Sequence, residues 1–389
     1  MNPFLSQIIY LDNNATTKIS PEILDAMMPF LTEKYGNPSS MHFFGGEIGK
    51  YLDTARKKIS DTFQCFSKNI VFTSGGTESN NLAIFGALEF LEKKCNHIIT
   101  TSVEHPAVLN TISYFKKKGY RITKLKVNEE GLLDLDELKK NISDKTALVS
   151  IMYANNETGV LNPIEEIGKI VKKYNAIFHT DAVQAVGKIP INLKKSSIDL
   201  LSFAGHKIHG PKGIGGLYIK NGIKINSIQK GGPQENGVRP GTEAMQNIIG
   251  LAKAIKLANK NIEKKNIEIK RKRDFLENWI LENIPNTKLN GHPKFRLSNT
   301  SNIGFKNIEG ESILLHLSKK NICASSGSAC SSGSLDPSHV LQSMSIPFDY
   351  IHGSIRFSLS SYTTDQEIDY TIKNLPPIIK KLREISPFS

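Results

Sequence analysis

The sequence predicts an α/β protein with a mixed, mainly parallel sheet flanked by helices, followed by a smaller α+β region. From about residue 70, short β-branched runs alternate with segments of helical periodicity, which is typical of parallel strands joined by crossover helices. The chain of 389 residues is long for one ordinary core, and its texture changes after a long polar stretch. We therefore expect a large domain over residues 15–258 and a small domain built from 1–14 and 259–389.

Strands and helices are predicted in alternation along the large domain. The strand candidates are short and rich in β-branched residues: IVFTS (70–74), HIIT (97–100), RITKLKV (121–127), ALVSIM (147–152), AIFHTD (176–181) and DLLSFAG (199–205). Helices are predicted between them at 77–93, 106–118, 135–141 and 163–174, the last with Pro163 in its first turn. One long polar helix is predicted from about 243 to 283, leading into the small domain.

Composition and charge exclude several classes of protein. The hydrophobic fraction of 39% includes no run of the roughly 18 to 20 apolar residues that a membrane span needs. The amino terminus lacks a signal or transit pattern, which indicates a cytoplasmic protein. Four cysteines without a CxxC pair predict neither a disulfide framework nor a structural zinc site. The net charge of +13 comes from dispersed lysines that alternate with acids, so we expect solvated helix faces rather than direct nucleic-acid binding.

The segment FTSGGTESNN (72–81) is typical of an anion-binding turn. Two glycines and Thr77 stand between a strand and the start of a helix, where backbone N–H groups and a hydroxyl point at a bound anion. The pattern is neither GxGxxG nor GxxxxGK[ST], so a small phosphate-bearing ligand is favoured over a nucleotide. A tight turn with a threonine cap is the purely structural alternative.

A carboxylate and a lysine follow two successive strands. Asp181 and Gln184 follow the first in HTDAVQAVGK, and Lys207 follows the second in GHKIHGPKGIGG. Taken singly, Lys207 is typical of a surface lysine and Asp181 of a turn, but both fall at the edge where open α/β sheets bind ligands. Pyridoxal 5'-phosphate requires a lysine for a Schiff base, an acid for its pyridine nitrogen and a phosphate cup. The combination therefore predicts that cofactor.

Cys330 lies in ASSGSACSSGS (324–334), a stretch of small polar residues. Reactive thiols are found in exposed, flexible loops, whereas inert packing is the usual role of cysteine and fits Cys65 and Cys95. The stretch alone leaves both roles open. Cys323, in the apolar NICA, is expected to pack in the core rather than to join Cys330 as a metal ligand.

Specific motifs run along almost the whole chain. They are YLDNNATT (10–17), YGNPSS (35–40), TSGGTESNNLA, TSVEHPAVLN, ANNETG, HTDAVQAVGK, GHKIHGPKGIGGLY, ASSGSACSSGSLDPSHVL and SIRFSLSSYTT (354–364). Together they resemble the cysteine desulfurases of the NifS/IscS type, in the class-V aminotransferase family of fold-type I pyridoxal-phosphate transferases.

The resemblance implies a role for each matching residue. Lys207 is expected to hold the cofactor, Asp181 to pair with its pyridine nitrogen and His105 to stack on its ring. The other expected contacts are Gly76, Thr77, Gly205 and His206 at the phosphate, Gln184 and Asn156 at the oxygen substituent or the substrate, Thr242 at the phosphate of the neighbouring subunit in a homodimer with shared active sites, and Arg356 at the substrate carboxylate. The structural alternatives are a helix cap for His105, a turn for Asn156 and a surface ion pair for Arg356.

The resemblance also implies a reaction. Cys330 would attack the sulfur of cofactor-bound L-cysteine, leaving L-alanine and a persulfide on Cys330, with Lys207 moving the α-proton and His105 acting as acid or base. The small residues of the loop, about 323–336, would let the sulfur travel to an iron–sulfur scaffold protein or another sulfur acceptor. The resemblance further allows Cys330 to ligate a cluster iron transiently.

Three departures from the family pattern bear on these expectations. Ala204 stands where the family usually has serine, so one hydroxyl to the phosphate is absent, and Ser202 or a backbone N–H is the candidate replacement. Pro233, Asn236 and Pro240 stand where Gly, Arg and Ser are more common, which bears on the cross-subunit phosphate contact. The chain ends at SPFS without the family's scaffold-docking tail, which predicts weaker scaffold binding or a different docking surface.

Three other functions are alternatives on the sequence alone. A selenocysteine lyase or an aminotransferase would share Lys207 and Asp181, although an aminotransferase needs no loop thiol. A low-turnover sulfur-relay partner would fit Ala204 and the altered segment, and a yellow chromophore that bleaches with L-cysteine would distinguish the enzyme from it. A basic nucleic-acid binder would show steeply salt-dependent binding.

Overall fold

The computed structural model describes residues 8–91, 95–326 and 337–386. Its strands are β1 (Ile9–Tyr10), β2 (Ile70–Thr73), β3 (His97–Thr101), β4 (Arg121–Leu125), β5 (Thr146–Ser150), β6 (Ile177–Asp181), β7 (Leu200–Ala204), β8 (Gly215–Ile219), β9 (Thr287–Leu289), β10 (Thr300–Phe305), β11 (Ile322–Cys323) and β12 (Ser354–Ser358). Its helices are α1 (Pro21–Met27), α2 (Pro29–Thr32), α3 (Phe43–Phe63), α4 (Gly76–Phe90), α5 (Pro106–Lys117), α6 (Leu135–Asn141), α7 (Ile164–Val171), α8 (Met245–Asn259), α9 (Ile262–Asn283), α10 (Gly310–Ser318), α11 (His339–Ser343), α12 (Phe348–Ile351) and α13 (Asp365–Glu384). Across these three described ranges, no helix combines the length and the apolar character that crossing a membrane requires.

A seven-stranded sheet forms the centre of the larger part of the molecule. Its strand order is β2-β8-β7-β6-β5-β3-β4, with β8 antiparallel to both its neighbours and the other strands parallel to one another. Adjacent residues such as Leu200 and Leu201 belong to different apolar clusters, so both faces of the sheet are covered. The predicted strands and the mainly parallel α/β architecture are confirmed.

The sheet also contains β8, a strand that the sequence does not predict. β8 begins with Gly215 and Gly216, and glycine is depleted in strands, so GIGGLY resembles a loop. A Cβ on Gly216 would lie 2.3 Å from the ring of Phe203 in β7. Glycine is therefore what allows β8 to pair with β7 at this position.

The prediction of one continuous helix over 243–283 is wrong. The structure has two helices, α8 and α9, and Asn261 between them adopts a left-handed conformation with φ of 54°. Asparagine reaches that region more easily than most residues. Because the chain turns here, α8 packs against α1 and α3 while α9 packs against α13 and β10.

The carboxyl-terminal region builds a second, antiparallel sheet in the order β12-β10-β9, against which α9 and α10 pack. At the amino end of the chain, β1 pairs in parallel with β11. Apolar residues from Ile9 and Leu11 to Leu382 form one cluster that is distinct from the clusters on the large sheet. On this basis we propose the division of the chain into 15–258 and 1–14 with 259–389.

Candidate active site

The parallel strands bring five of the expected site residues to one edge of the large sheet. Gly76 follows β2, His105 follows β3, Asn156 follows β5, Asp181 ends β6, and Lys207 follows β7 in a short 3₁₀ turn. The carboxyl ends of these parallel strands form the edge at which open α/β sheets bind ligands. The charges of Asp181 and Lys207 both act on the imidazole of His105, so the three groups share one electrostatic environment.

The carboxylate of Asp181 is buried and held from two sides. Its Oδ2 accepts a hydrogen bond from Nδ2 of Asn80 at 2.6 Å, and its Oδ1 accepts one from the backbone N–H of Val183 at 2.9 Å. Asn80 belongs to α4, so the helix that follows the glycine turn also fixes the carboxylate. Both donors are neutral, which leaves the negative charge available to a cationic ring nitrogen.

Lys207 is oriented by the amino-terminal segment of the chain. Its Nζ donates to the backbone carbonyl oxygens of Asn14 at 2.6 Å and Ala15 at 2.7 Å. The same segment is attached to the lysine turn, because the N–H and the hydroxyl of Thr17 both donate to the carbonyl of His206 at 2.9 Å. The amine is therefore held by hydrogen bonds at the edge of the sheet.

His105 caps α5, as the structural alternative predicts. Its Nδ1 accepts the N–H of Ala107 at 3.1 Å, so in the neutral ring the proton lies on Nε2. Burial lowers the pKa of His105; the charge of Asp181 opposes that effect, and the charges of Lys207 and His339 reinforce it. The ring is thus a neutral, planar group with an N–H donor at Nε2, which is also compatible with stacking on a cofactor.

The amino end of α4 approaches the strand ends so closely that only glycine fits at position 76. A Cβ there would lie 2.7 Å from Cγ2 of Val183 and 3.8 Å from Cβ of Ala204. Thr77 follows at an exposed position. Since the first N–H groups of a helix have no partner within the helix, this start of a 15-residue helix suits an anion.

The hydroxyl of Ser202, the candidate replacement for the hydroxyl missing at Ala204, contacts a histidine on the neighbouring strand. Ser202 Oγ lies 3.0 Å from Nε2 of His179, whose Nδ1 lies 2.8 Å from Oγ of Ser150. Burial lowers the pKa of His179 to about 3, so this ring is neutral. The methyl group of Ala204, by contrast, lies beside Gly76, at the start of α4.

Gly205 and His206 lie in the same turn as Lys207. Gly205 is buried, and a Cβ on it would approach Ile214 and the carbonyl of Pro211 to 3.1 Å. Nδ1 of His206 lies 3.2 Å from Oγ1 of Thr16. Burial, and then the charges of neighbouring lysines, lower the pKa of His206 to about 4. His206 can therefore offer a phosphate a neutral N–H group rather than a cation.

Asn156 is placed by a turn that its neighbour shapes. Oδ1 of Asn155 accepts the N–H groups of Glu157 and Thr158, both at 2.9 Å, so the turn does not depend on the side chain of Asn156. The carbonyl of Asn156 accepts Nη1 of Arg356 at 3.0 Å and Nδ2 of Asn14 at 3.2 Å. The residue is therefore in direct contact with the expected substrate arginine.

Arg356 lies in β12 and is only 3% exposed. Its Nη2 donates to Oδ1 of Asp12 at 2.8 Å, so the ion pair that was the alternative for this residue is present. Its Nε has no hydrogen-bond partner among the described residues. The backbone of Arg356 pairs in both directions with Ser325, at 2.6 and 3.2 Å. A buried guanidinium with one unused donor thus lies where the cysteine-bearing segment begins.

Cys330 lies outside the described residues, and so does the expectation that it binds iron. Just beyond the undescribed segment, Ser338 Oγ donates to Oε2 of buried Glu157 at 2.5 Å. Nε2 of His339 lies 3.0 Å from the carbonyl oxygen of Glu104, the residue before His105. Within the described ranges no cluster of His, Cys, Asp or Glu is suited to a metal ion.

Cys323 is half-buried in β11, next to the small-domain cluster. Burial, and then the negative charge of Asp12, raise the pKa of its thiol. The same effect of burial raises the pKa of Cys65 to about 12. Both thiols are therefore protonated and unreactive at neutral pH.

Thr242 lies on the surface, away from the strand edge. It lines a surface cavity of about 530 Å³ together with Gln229, Gln234 and neighbouring glycines. Arg239, three residues earlier, forms a two-point ion pair with Glu78 in the first turn of α4, at 2.8 and 3.3 Å. The segment is therefore attached to the first turn of α4, although Thr242 itself is exposed.

A family model described as aminotransferase class-V matches residues 9–371. The chain belongs to the class-V aminotransferase family. A cysteine desulfurase of Trichormus azollae is 56% identical over 381 residues, covering 98% of this chain and 95% of that protein. The cysteine desulfurase NifS of Azotobacter vinelandii is 50% identical, covering 98% and 94%. The solved structure of a NifS-like protein is 37% identical, with a TM-score of 0.92 over 97% of this chain and all of that one.

These similarities confirm the resemblance in the motifs, and this class-V aminotransferase family member is an enzyme of the cysteine desulfurase type. Three residues at the site have no role predicted from the sequence. Asn14 and Asn80 lie in quoted motifs without an assigned role, and Lys188 ends the motif HTDAVQAVGK. Each contacts an expected site residue. Asparagine and lysine are common on protein surfaces, so the residue types alone do not indicate a place in the site. The one signal in the sequence is that all three fall within the motifs.

Proposed function

We propose that the chain uses pyridoxal 5'-phosphate to remove sulfur from L-cysteine and takes that sulfur onto Cys330 as a persulfide. The observation that carries the proposal is the convergence of Asp181, His105 and Lys207 beside the start of α4. L-alanine would be the other product. The persulfide sulfur would then pass to an iron–sulfur scaffold protein or another acceptor.

The residues at the strand edge fit that cofactor. A carboxylate held by neutral donors suits a ring nitrogen, the amine of Lys207 suits an aldehyde, and a helix start at Gly76 suits a phosphate. When bound, pyridoxal phosphate supplies an electron sink for the substrate carbon that loses its proton. Thr77, Gly205 and His206 are the further residues that would hold the phosphate.

The protein side chains would bind the substrate and move its protons. Arg356 would bind the carboxylate of L-cysteine, and its unused Nε and its contact with Asn156 support this role. Lys207 Nζ, between two carbonyl oxygens that orient it, would move the α-proton. His105 would act from Nε2, since its Nδ1 is already a hydrogen-bond acceptor.

Cys330 would complete the transfer by a balanced exchange of bonds. Its thiolate attacks the sulfur of the substrate, an S–S bond forms as the substrate C–S bond breaks, and the substrate carbon takes up a proton to become alanine. Both ends of its segment are attached beside the site, through Ser325 and Ser338. Cys330 is four positions along the chain from Ser326, a reach of at most about 14 Å.

The remaining parts of the proposal concern assembly and acceptors. A homodimer with shared sites would let Thr242 reach the phosphate of a neighbouring subunit, and its exposure supports this. A transient bond between Cys330 and a cluster iron would belong to the acceptor complex.

The test compares the wild type with Cys330→Ala, using Cys323→Ala as a matched control for loss of a loop-proximal thiol. Each protein is titrated with pyridoxal phosphate, followed by absorption, and then given L-cysteine and a reductant while alanine and sulfide are measured. We expect all three proteins to be yellow and only Cys330→Ala to lose turnover. A colourless wild type would disprove the cofactor, and an active Cys330→Ala would disprove the role of the thiol.

A further inference from the structure

Lys188 contacts Gln184, one of the residues expected at the cofactor, but it has no role in the reaction proposed above. It follows the turns after Asp181, beyond Gly187 with its left-handed φ of 73°, and its side chain contacts that of Gln184, four residues earlier. Its Nζ donates to Oε1 of Gln184 at 2.7 Å and to Oδ1 of Asn14 at 3.1 Å. Lys188 therefore contacts two amide side chains and donates a hydrogen bond to the oxygen of each.

The amide of Asn14 has all its hydrogen-bonding positions filled. Oδ1 accepts from Lys188 and from Asn299, while Nδ2 donates to Thr300 Oγ1 at 2.9 Å and to the carbonyl of Asn156 at 3.2 Å. The backbone carbonyl of Asn14 accepts from Lys207 at 2.6 Å and from Nε2 of Gln184 at 3.0 Å. A residue that is 1% exposed can hold this position only with these bonds made.

Gln184 has a fixed orientation for the same reason. The amino group of Lys188 donates to the end of the amide that faces it, so that end is the oxygen. The carbonyl of Asn14 has no donor, so the end that faces it must be the NH₂ group. The reverse orientation would set donor against donor and oxygen against oxygen.

We propose that Lys188 is a positioning residue that fixes the amide of Gln184 with its NH₂ group towards the cofactor. Nε2 has two hydrogens, of which one goes to Asn14, and the second is available to an oxygen substituent. The inference rests on the proposed function, because it assigns the second hydrogen to pyridoxal phosphate. Lys188 itself touches neither substrate nor cofactor and acts through Gln184.

The surroundings of Lys188 agree with this role. Burial, and then the charges of Lys207 and Arg356, lower the pKa of Lys188 well below its usual value, and the two amide oxygens compensate part of that penalty. Lys188 lines a cleft of about 620 Å³ that Lys265 also lines. Among the described residues, Nζ of Lys265 donates to the carbonyl of Leu257 and to no site residue, so it is a matched lysine for comparison.

The experiment uses the full chain as wild type, Lys188→Met, Gln184→Ala, the double variant and Lys265→Met. Apoprotein of each is titrated with pyridoxal phosphate, and the dissociation constant and the absorption spectrum of the bound form are recorded. A donor to the oxygen substituent changes where the cofactor carries its proton, so the spectrum reports the orientation of Gln184 directly. Thermal unfolding of the apoproteins measures the purely structural effect separately.

We expect Lys188→Met and Gln184→Ala to shift the spectrum in the same way and to weaken cofactor binding by about three- to tenfold, the range for one hydrogen bond. The double variant should show no further shift, because Lys188 acts only through Gln184. Lys265→Met should match the wild type. If Lys188→Met does not fold, Lys188→Arg, which has only donors, should keep the wild-type spectrum while Lys188→Gln should change it.

Two outcomes would overturn the inference without touching the proposed function: a yellow wild type with an unchanged spectrum in Lys188→Met, or additive shifts in the double variant. A wild type that binds no cofactor would overturn both. A loss of thermal stability in Lys188→Met with the spectrum unchanged would mean that Lys188 serves only the fold.

Discussion

A serine at position 204 is expected to tighten cofactor binding while making the apoprotein less stable. Ala204 is 1% exposed at the end of β7, and its Cβ lies 3.8 Å from where a Cβ of Gly76 would stand. A hydroxyl on that carbon would therefore be added beside the first turn of α4, where we propose the phosphate lies. No rearrangement of the backbone is needed, because serine adds a single oxygen.

The magnitudes follow from the surroundings of the new oxygen. A hydrogen bond to a charged acceptor contributes about 1.5–3 kcal/mol, and at about 1.4 kcal/mol per tenfold this predicts a dissociation constant lower by about tenfold or more. In the apoprotein the same hydroxyl is buried without that acceptor, which is expected to lower the free energy of unfolding by about 1–3 kcal/mol. The new hydroxyl thus strengthens cofactor binding and weakens the apoprotein for the same reason, namely that its hydrogen-bond acceptor is present only when the phosphate is bound.

The assay measures both quantities on Ala204→Ser, the wild type and Ala147→Ser. Ala147 is fully buried near the amino end of β5, whereas Ala204 ends β7, so a serine at 147 tests burial of a hydroxyl away from the proposed phosphate. We expect both variants to lose stability and only Ala204→Ser to gain affinity for pyridoxal phosphate. Equal affinities in all three proteins would refute the placement of the phosphate at the start of α4.

Three further predictions concern buried acids. Asp181→Asn should fold normally and lose turnover by about a hundredfold or more, measured as alanine formed, because it removes a preorganised charge. Burial raises the pKa of Glu104 to about 8, so the fold retains a proton that the unfolded chain releases near 4.5. Between about pH 5 and pH 8, the free energy of unfolding of the wild type should therefore fall, relative to that of Glu104→Gln, by about 1.4 kcal/mol per pH unit. Urea unfolding of both proteins across this pH range measures the difference. Both carboxylate oxygens of buried Glu235 accept hydrogen bonds from Arg56, at 2.6 and 2.7 Å. Glu235→Ala should therefore lower the free energy of unfolding by about 3–5 kcal/mol. The matched control is Glu47→Ala, which removes an exposed ion pair and should cost less than about 1 kcal/mol.

The fold and the strand-edge residues were accessible from the sequence because they depend on local signals. β-branched runs mark the buried strands, and Asp181 and Lys207 follow such runs directly. Two features escaped these signals. Glycines conceal β8, whose pairing needs the space beside Phe203, and the break at Asn261 depends on a left-handed residue within a polar helical pattern.

The hydrogen-bond network at the site could not be predicted because it joins residues that are far apart in the chain. Asn14 contacts Ser358, 344 residues away, and Thr300, 286 residues away. No periodicity encodes such pairs. The same limit applies to Ser202, whose hydroxyl bonds to His179 across neighbouring strands, although the sequence offered it as a phosphate ligand.

The site therefore depends on both ends of the chain as well as on the large sheet. Asp12 binds Arg356, and Asn14 bonds to Ser358, so the amino-terminal segment lies between the lysine turn and β12. If the small sheet moved away from the large one, Lys207 would lose the carbonyl of Asn14 and Arg356 would lose that of Asn156. Because the cysteine-bearing segment begins at Ser325, the strand partner of Arg356, the proposed substrate-binding groups and the attachment of that segment would be displaced together. The proposed roles of Lys207 and Arg356 therefore depend on the same backbone arrangement at this edge of the sheet.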